Sequence, residues 1–227
     1  MIGAILGDYI GSRFEKYPIK TTVFELYHPA CRFTDDTVLT IATLHAIKRK
    51  TTYKEAYLLF GRSNPAAGYS KRFELWLSSS NPQPYNSFGN GSAMRVSPIG
   101  WLFNAYDEVL LEAKKSASVS HNHDDGISCA QAVAASVFLA RTGRTKSEIL
   151  KIIENEFEMN VSQSLDEIRP NYAFDMTAMG SVPQAIRCFL ESNSWESAVR
   201  LAVSMGGDAD TMACIAGGIA EAYYKNK

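Results

Sequence analysis

No alternating run of apolar and polar residues long enough for a convincing β-strand occurs in the 227-residue sequence. That absence argues against sandwiches, barrels and sheet-based α/β folds, and leaves an all-α chain. No uncharged apolar run reaches the ~18 residues that a membrane span needs, so no membrane partner is expected. The N-terminus is apolar, but it carries Asp8 early and no basic stretch, so a signal peptide is not expected either. Cysteines are few (Cys31, Cys129, Cys188 and Cys214) and show no CxxC spacing. This speaks against a thiolate zinc site and a disulfide framework, and three of the four fall on predicted apolar helix faces. A reduced, cytoplasmic protein is the expectation. An excess of positive charge is also missing. The formal net charge is -1, which argues against non-specific nucleic-acid binding and leaves small anionic ligands open. With no fixed-period repeat and no low-complexity linker, one domain over 1–227 is expected, and a monomer.

What the sequence does contain is a series of helix signals. Gly3, Gly7 and Gly11 recur every four residues and line one helical stripe. Each glycine costs about 1 kcal/mol relative to Ala in a helix. Two readings are open: close helix–helix packing, or a close approach that also brings Asp8 and Glu15 towards a site. Residues 16–33 hold Pro18 and Pro29 and read as a loop. Val38 to Ile47 is apolar on most sides, as in a central helix, and Lys48, Arg49 and Lys50 suit its C-terminal end. His45 within it reads as a packed histidine. Thr52–Glu55 and Thr145–Glu148 are capping boxes. Between 61 and 91 a short helix near 69–78 is followed by a long ordered loop. That loop ends in Gly89-Asn90-Gly91-Ser92-Ala93-Met94-Arg95, which is either a plain turn or a cradle of backbone N–H groups for an anion. Asn104 is the expected cap of a helix carrying Val109, Leu110, Ala113 and Ala117. Residues 158–180 read as irregular. Ser181-Val182-Pro183-Gln184 predicts a new helix start, and Ser194 caps the one after it. Nine or ten helices follow from this count. His121 and His123 beside Asp124 and Asp125 lack the Cys or third His that a zinc site needs, and form a polar helix-start cluster or a solvated loop.

Two acidic clusters remain, each heading an apolar helix: Thr34-Asp35-Asp36-Thr37 and Gly206-Gly207-Asp208-Ala209-Asp210-Thr211. Either one alone reads equally well as helix capping, worth about 1 kcal/mol. Together they bring up to four carboxylates into one fold, and such a set does not stay ionised without cations. Oxygen ligands without Cys favour hard metals: Mg²⁺, Mn²⁺ or Ca²⁺.

Four segments together resemble the ADP-ribosylglycohydrolase family: Gly3 to Glu15, Phe33 to Thr37, Gly89 to Arg95 and Gly206 to Thr211. The resemblance covers nearly the whole chain, and the second and fourth segments are the specific ones. It implies a multi-helix orthogonal bundle with a binuclear Mg²⁺ or Mn²⁺ site at helix N-termini. It implies an enzyme that cleaves the bond between the distal ribose C1″ of ADP-ribose and an acceptor. By that likeness the metal ligands are Thr34, Asp35, Asp36, Asp208, Asp210 and Thr211, and Glu15 or Asp35 serves catalysis. The substrate-binding set is Asp8, Gly89, Asn90, Gly91, Ser92, Met94, His121 and Gly207. Tyr69, Phe88 and Tyr106 are candidates to stack on adenine. Two departures stand out. The stretch Asn64 to Tyr69 lacks the acid that nitrogenase-linked relatives use as base, and the chain is shorter than many relatives. The competing reading is a non-catalytic ADP-ribose-binding or crystallin-like protein of the same fold. An all-α phosphohydrolase is disfavoured because His121 and His123 do not supply its histidine spacing. The acceptor, whether arginine, serine or O-acetyl-ADP-ribose, rests on loops near 16–32, 61–88 and 158–180.

Overall fold

A computed structural model of the chain describes residues 1–225, and these form helices without a β-strand. In chain order they are α1 (Ile2–Gly11), α2 (Asp35–Arg49), α3 (Tyr53–Ser63), α4 (Lys71–Ser78), α5 (Ser97–Leu102), α6 (Tyr106–Ser118), α7 (Asp124–Arg141), α8 (Lys146–Phe157), α9 (Leu165–Ile168), α10 (Ala178–Glu191), α11 (Trp195–Ser204) and α12 (Ala209–Tyr224). A short 3₁₀ turn spans Asn90–Ser92.

The bundle is built around α12. Its sequence of Ala, Gly, Cys, Met and Ile is buried from Ala209 to Ala220, and small side chains let neighbours come close on every side. α1 packs along it in opposite direction, in steps of four residues. A Cβ on Gly7 would sit 2.1 Å from Ala213 O, and one on Gly11 would sit 2.3 Å from Ala209 O. Neither backbone can retreat, so glycine is required at this contact. The glycine stripe is thus close packing, and that packing sets Asp8 of α1 beside the head of α12. Both readings of the stripe meet in one contact.

Several helix starts follow the sequence signals. Thr52 and Thr145 form full capping boxes, and Ser194 accepts from Ser197 N. Gly143 lies in the left-handed region with φ +90° and ends α7. His45 packs edge-on against Phe60, and all four cysteines are buried and free.

Other starts differ from expectation. α10 begins at Ala178 and not at Ser181, because Thr177 takes the cap by accepting from Gly180 N at 3.0 Å. Ser181 then falls in the first turn and Pro183 lies inside the helix. Asn104 does not cap α6. Ala105 is the N-cap residue, and Asn104 Oδ1 accepts from Arg141 instead. α5 and α9 bring the number of α-helices to twelve among the described residues. Pro98 inside the first turn marks α5, and a Ser164–Glu167 capping box marks α9. No helix among the described residues is long and apolar enough to cross a membrane.

Candidate active site

The heads of α2 and α12 meet at the Asp8 side of α1. Thr34 is the N-cap of α2. Asp8 reaches across and accepts from Thr34 N at 3.0 Å, Thr34 Oγ1 at 2.6 Å, Thr37 N at 3.1 Å and the Thr37 hydroxyl. It therefore satisfies orphan N–H groups of α2 from another helix. Asp208 is the N-cap of α12 but makes no cap bond with its side chain. Its carboxylate accepts from Asn90 Nδ2 at 2.7 Å, and Asn90 also donates to Ser181 Oγ at 3.1 Å. Asp36 Oδ2 accepts from Thr211 Oγ1 at 3.2 Å, which ties the two helix heads together.

Carboxylate oxygens of Asp8, Asp36 and Asp210 lie within 4.8 Å of one another, and all three residues are buried. Burial first, and then neighbouring carboxylates, push the carboxyls of Asp36 and Asp210 well above the ordinary range. Asp35 is pushed up to about 7 by burial and by Asp8 and Asp208. Asp8 and Asp208 are raised as well, by burial. Among the described residues, the ion pair beside this cluster is long and leaves the five aspartates untouched: Arg32 lies 3.9 Å from Glu15. Asp36 Oδ1 is buried with no hydrogen-bond partner among the described residues. Crowded carboxylates without a cation, one of them with an orphaned oxygen, fit a divalent metal ion held by hard oxygen donors.

A cavity of about 450 Å³ opens above this floor. It is lined by Glu15, Thr34, Asp35, Asp36, Asp208, Asp210 and Thr211, and by Gly89, Asn90, Gly91, Met94 and His121. Twelve of the fifteen residues singled out from sequence thus share one space. The remaining three do not line it. Asp8 lies behind the floor, bound to α2. Ser92 is buried and donates to Gly126 O at 2.8 Å. Gly207 packs against the Tyr172 ring. Of the aromatic candidates, Phe88 lines the cavity. Tyr69 is buried. Tyr106 lies in a separate surface groove and donates to Glu156 at 2.7 Å.

The cavity lining also carries positive charge. Lys71, Arg72 and Arg95 line it, and none of the three has a carboxylate partner among the described residues. The sequence reading missed the first two. Their signal was a pair of cations in the first turn of α4, just after its cap Ser70, where the helix dipole disfavours positive charge. Phe174, Met176 and Thr177 complete a wall that the irregular 158–180 stretch did not reveal. The wall is joined to the glycine turn through Asn90 N, which donates to Met176 O at 3.0 Å.

A family profile described as ADP-ribosylglycohydrolase matches residues 1–227. The chain belongs to the ADP-ribosylglycohydrolase family. This family member is 26% identical to human ADP-ribosylhydrolase ARH3, over 99% of this chain and 84% of that protein. It is 27% identical to ADP-ribosylarginine hydrolase Tri1 of Pseudomonas putida, over 99% of this chain and 69% of that one. A solved structure titled "ADP-ribosylglycohydrolase-related protein complex" superposes with a TM-score of 0.78 at 23% identity, over 98% of this chain and 85% of the other. That likeness establishes the fold.

Proposed function

We propose that this chain hydrolyses the bond between the distal ribose C1″ of ADP-ribose and an acceptor group, releasing free ADP-ribose. The observation that carries the reading is the mixed lining of one cavity. Buried carboxylates line it, and so do three cations without carboxylate partners among the described residues. A molecule with a diol-bearing sugar at one end and a diphosphate in its middle matches that polarity. The names of ARH3 and Tri1 place the same substrate class among the relatives.

The residues that would hold metal are Thr34, Asp35, Asp36, Asp208, Asp210 and Thr211, with Asp8 close behind them. Mg²⁺ is the ion we assign, with Mn²⁺ as a substitute. When bound, such ions neutralise the carboxylates and polarise coordinated oxygens. The protein side of the reaction rests on the remaining groups. Lys71 and Arg72 attract the diphosphate, and the Gly89–Gly91 turn lets it come close to backbone. Asn90 fixes the direction of Asp208. Glu15 faces the cavity, and burial and the nearby Asp208 raise its carboxyl above the ordinary range. It is the group we assign to hold and move the proton. Hydrolysis adds the hydroxyl of water to C1″, through an oxocarbenium-like state, and the proton leaves on the acceptor.

The test is release of free ADP-ribose from serine-linked and arginine-linked ADP-ribosyl peptides with Mg²⁺. Release from either peptide is expected. Binding of ADP-ribose without cleavage of any acceptor would turn the reading towards a non-catalytic binding protein.

A further inference from the structure

Arg95 is fully buried and makes no ion pair among the described residues. Its guanidinium lies 4.2 Å from the centre of the Tyr57 ring. Nη2 donates to Ser116 O at 2.9 Å and to Ser120 Oγ at 3.1 Å. Nε and Nη1 are buried without a hydrogen-bond partner among the described residues. The Tyr57 hydroxyl is itself held between Thr43 Oγ1 at 2.8 Å and Ser116 Oγ at 2.7 Å. A buried cation with orphaned donors is costly, so its place beside the cavity asks for a role.

The protons can be followed from Arg95 outward. A guanidinium only donates, so Ser120 Oγ accepts from it. The Ser120 hydroxyl then has its own proton to place, and His121 Nδ1 lies 2.8 Å away. Nδ1 must therefore accept. The neutral ring carries its proton on Nε2, the nitrogen that faces the cavity. A Cβ on Gly91 would sit 3.2 Å from Nε2, and one on Gly89 would sit 3.8 Å from it. No protein group among the described residues accepts from Nε2. The groups around the ring are Arg95, Arg72 and the Tyr85 ring at 6.0 Å. Burial first, then the two guanidinium charges, hold the imidazole well below the usual histidine range. Both causes favour the neutral ring.

We infer that Arg95 and Ser120 are positioning residues that lock His121 as an Nε2–H donor, aimed at an oxyanion seated on the Gly89–Gly91 turn. The alternatives fail on proton count. An Nδ1–H ring would face the Ser120 hydroxyl with a second hydrogen, leaving that hydroxyl no acceptor. An imidazolium would add a third charge beside two guanidinium groups. In the locked form the excess charge of Arg95 polarises a chain of donors towards the cavity. This lock rests on the ADP-ribose reading only for naming the oxyanion a phosphate of the diphosphate.

The test uses the full chain, labelled with ¹⁵N at histidine, with Mg²⁺ present. The wild-type spectrum is expected to show His121 protonated on Nε2 and bare on Nδ1, without change from pH 5.5 to 8. Ser120→Ala removes one buried hydroxyl. It is expected to release the tautomer and to weaken binding of ADP-ribose and of inorganic pyrophosphate about tenfold, the loss of one hydrogen bond of charge-assisted strength. KM of the ADP-ribosyl peptide should rise by the same factor with kcat within about twofold, as for a ground-state contact. Ser120→Thr should restore all three. A wild-type ring protonated on Nδ1, or equal binding of both probes by Ser120→Ala, overturns the inference. Binding of neither probe by the wild type overturns it too. Pyrophosphate binding that depends on Ser120, with no binding of ADP-ribose, supports the lock and sinks the substrate reading.

Discussion

The heads of α2 and α12 look alike in sequence and are wired differently. Thr34-Asp35-Asp36 caps its own helix through Thr34, and Asp8 of α1 gathers four further donors there. Asp208-Ala209-Asp210 does little capping. Asp208 spends its carboxylate on Asn90, Asp210 accepts from its neighbour Thr211 N at 3.0 Å, and the two carboxyls share a hydrogen bond. One head is fastened through Thr34, Thr37 and Asp8, the other has no side-chain cap, and the acids of both line the cavity. The difference teaches that an acidic helix start can offer a ligand set with or without a side-chain cap of its own.

The largest effect should come from breaking the α12 head. Asp210→Ala removes a carboxylate from the group shared with Asp8 and Asp36. Loss of at least one bound metal ion is expected, with hydrolysis down roughly a thousandfold, since metal stabilisation is worth several kcal/mol. The metal-free variant should melt higher than the metal-free parent, because one of several crowded buried carboxyls has gone. Metal analysis, the ADP-ribose release assay and melting in chelator read all three. Full metal content with full activity would remove Asp210 from the ligand set.

The next effect is on pH, and its sign can be worked out. Asp35 has a folded pKa pushed up from 3.8 to about 7. Between those values the folded chain binds more protons than the unfolded chain, so stability falls as pH rises. Each pKa unit corresponds to about 1.4 kcal/mol, so the loss across this window should reach a few kcal/mol. Metal-free protein should therefore melt higher at pH 5 than at pH 7.5. Mg²⁺ binds the ionised form, so it should raise the melting point at pH 7.5 and close or reverse the gap. Equal melting points at both pH values in chelator would show that the carboxylates are not crowded as the structure has them.

Much of this arrangement was legible in the residues, and the limits have physical causes. Both acidic heads showed as carboxylate–hydroxyl runs before small-residue helices, and the glycine stripe foretold the contact that carries Asp8. The partners of those acids were not legible. Asn90 reaches Asp208 from 118 residues away, a contact fixed by packing and not by spacing. α5 was hidden because Pro98 reads as a breaker as readily as a first-turn residue. Ser92 looked like part of a phosphate cradle, but the 3₁₀ turn rotates its hydroxyl to Gly126 O. Lys71 and Arg72 carry no signal in the sequence that ties them to the acids, yet they line the same cavity. The Arg95–Ser120–His121 chain joins the Gly89–Arg95 motif to the end of α6, and neither segment hints at the other.

The smallest effect bears most directly on the two heads. Thr34→Ala takes the cap from α2 and a donor from Asp8, and should cost the metal-free protein about 1 kcal/mol or more. Asp208→Ala takes no cap bond from α12. It leaves Asn90 Nδ2 with Ser181 Oγ as its remaining partner and relieves Asp35 and Asp210 of a like charge. Its metal-free stability should stay level or rise, although its metal affinity falls. Denaturant unfolding of both variants in chelator separates the cases, because capping is a property of the chain alone and ligation is not. If Asp208→Ala loses as much stability as Thr34→Ala, the α12 head is a cap after all, and the division between a capped head and an uncapped head fails.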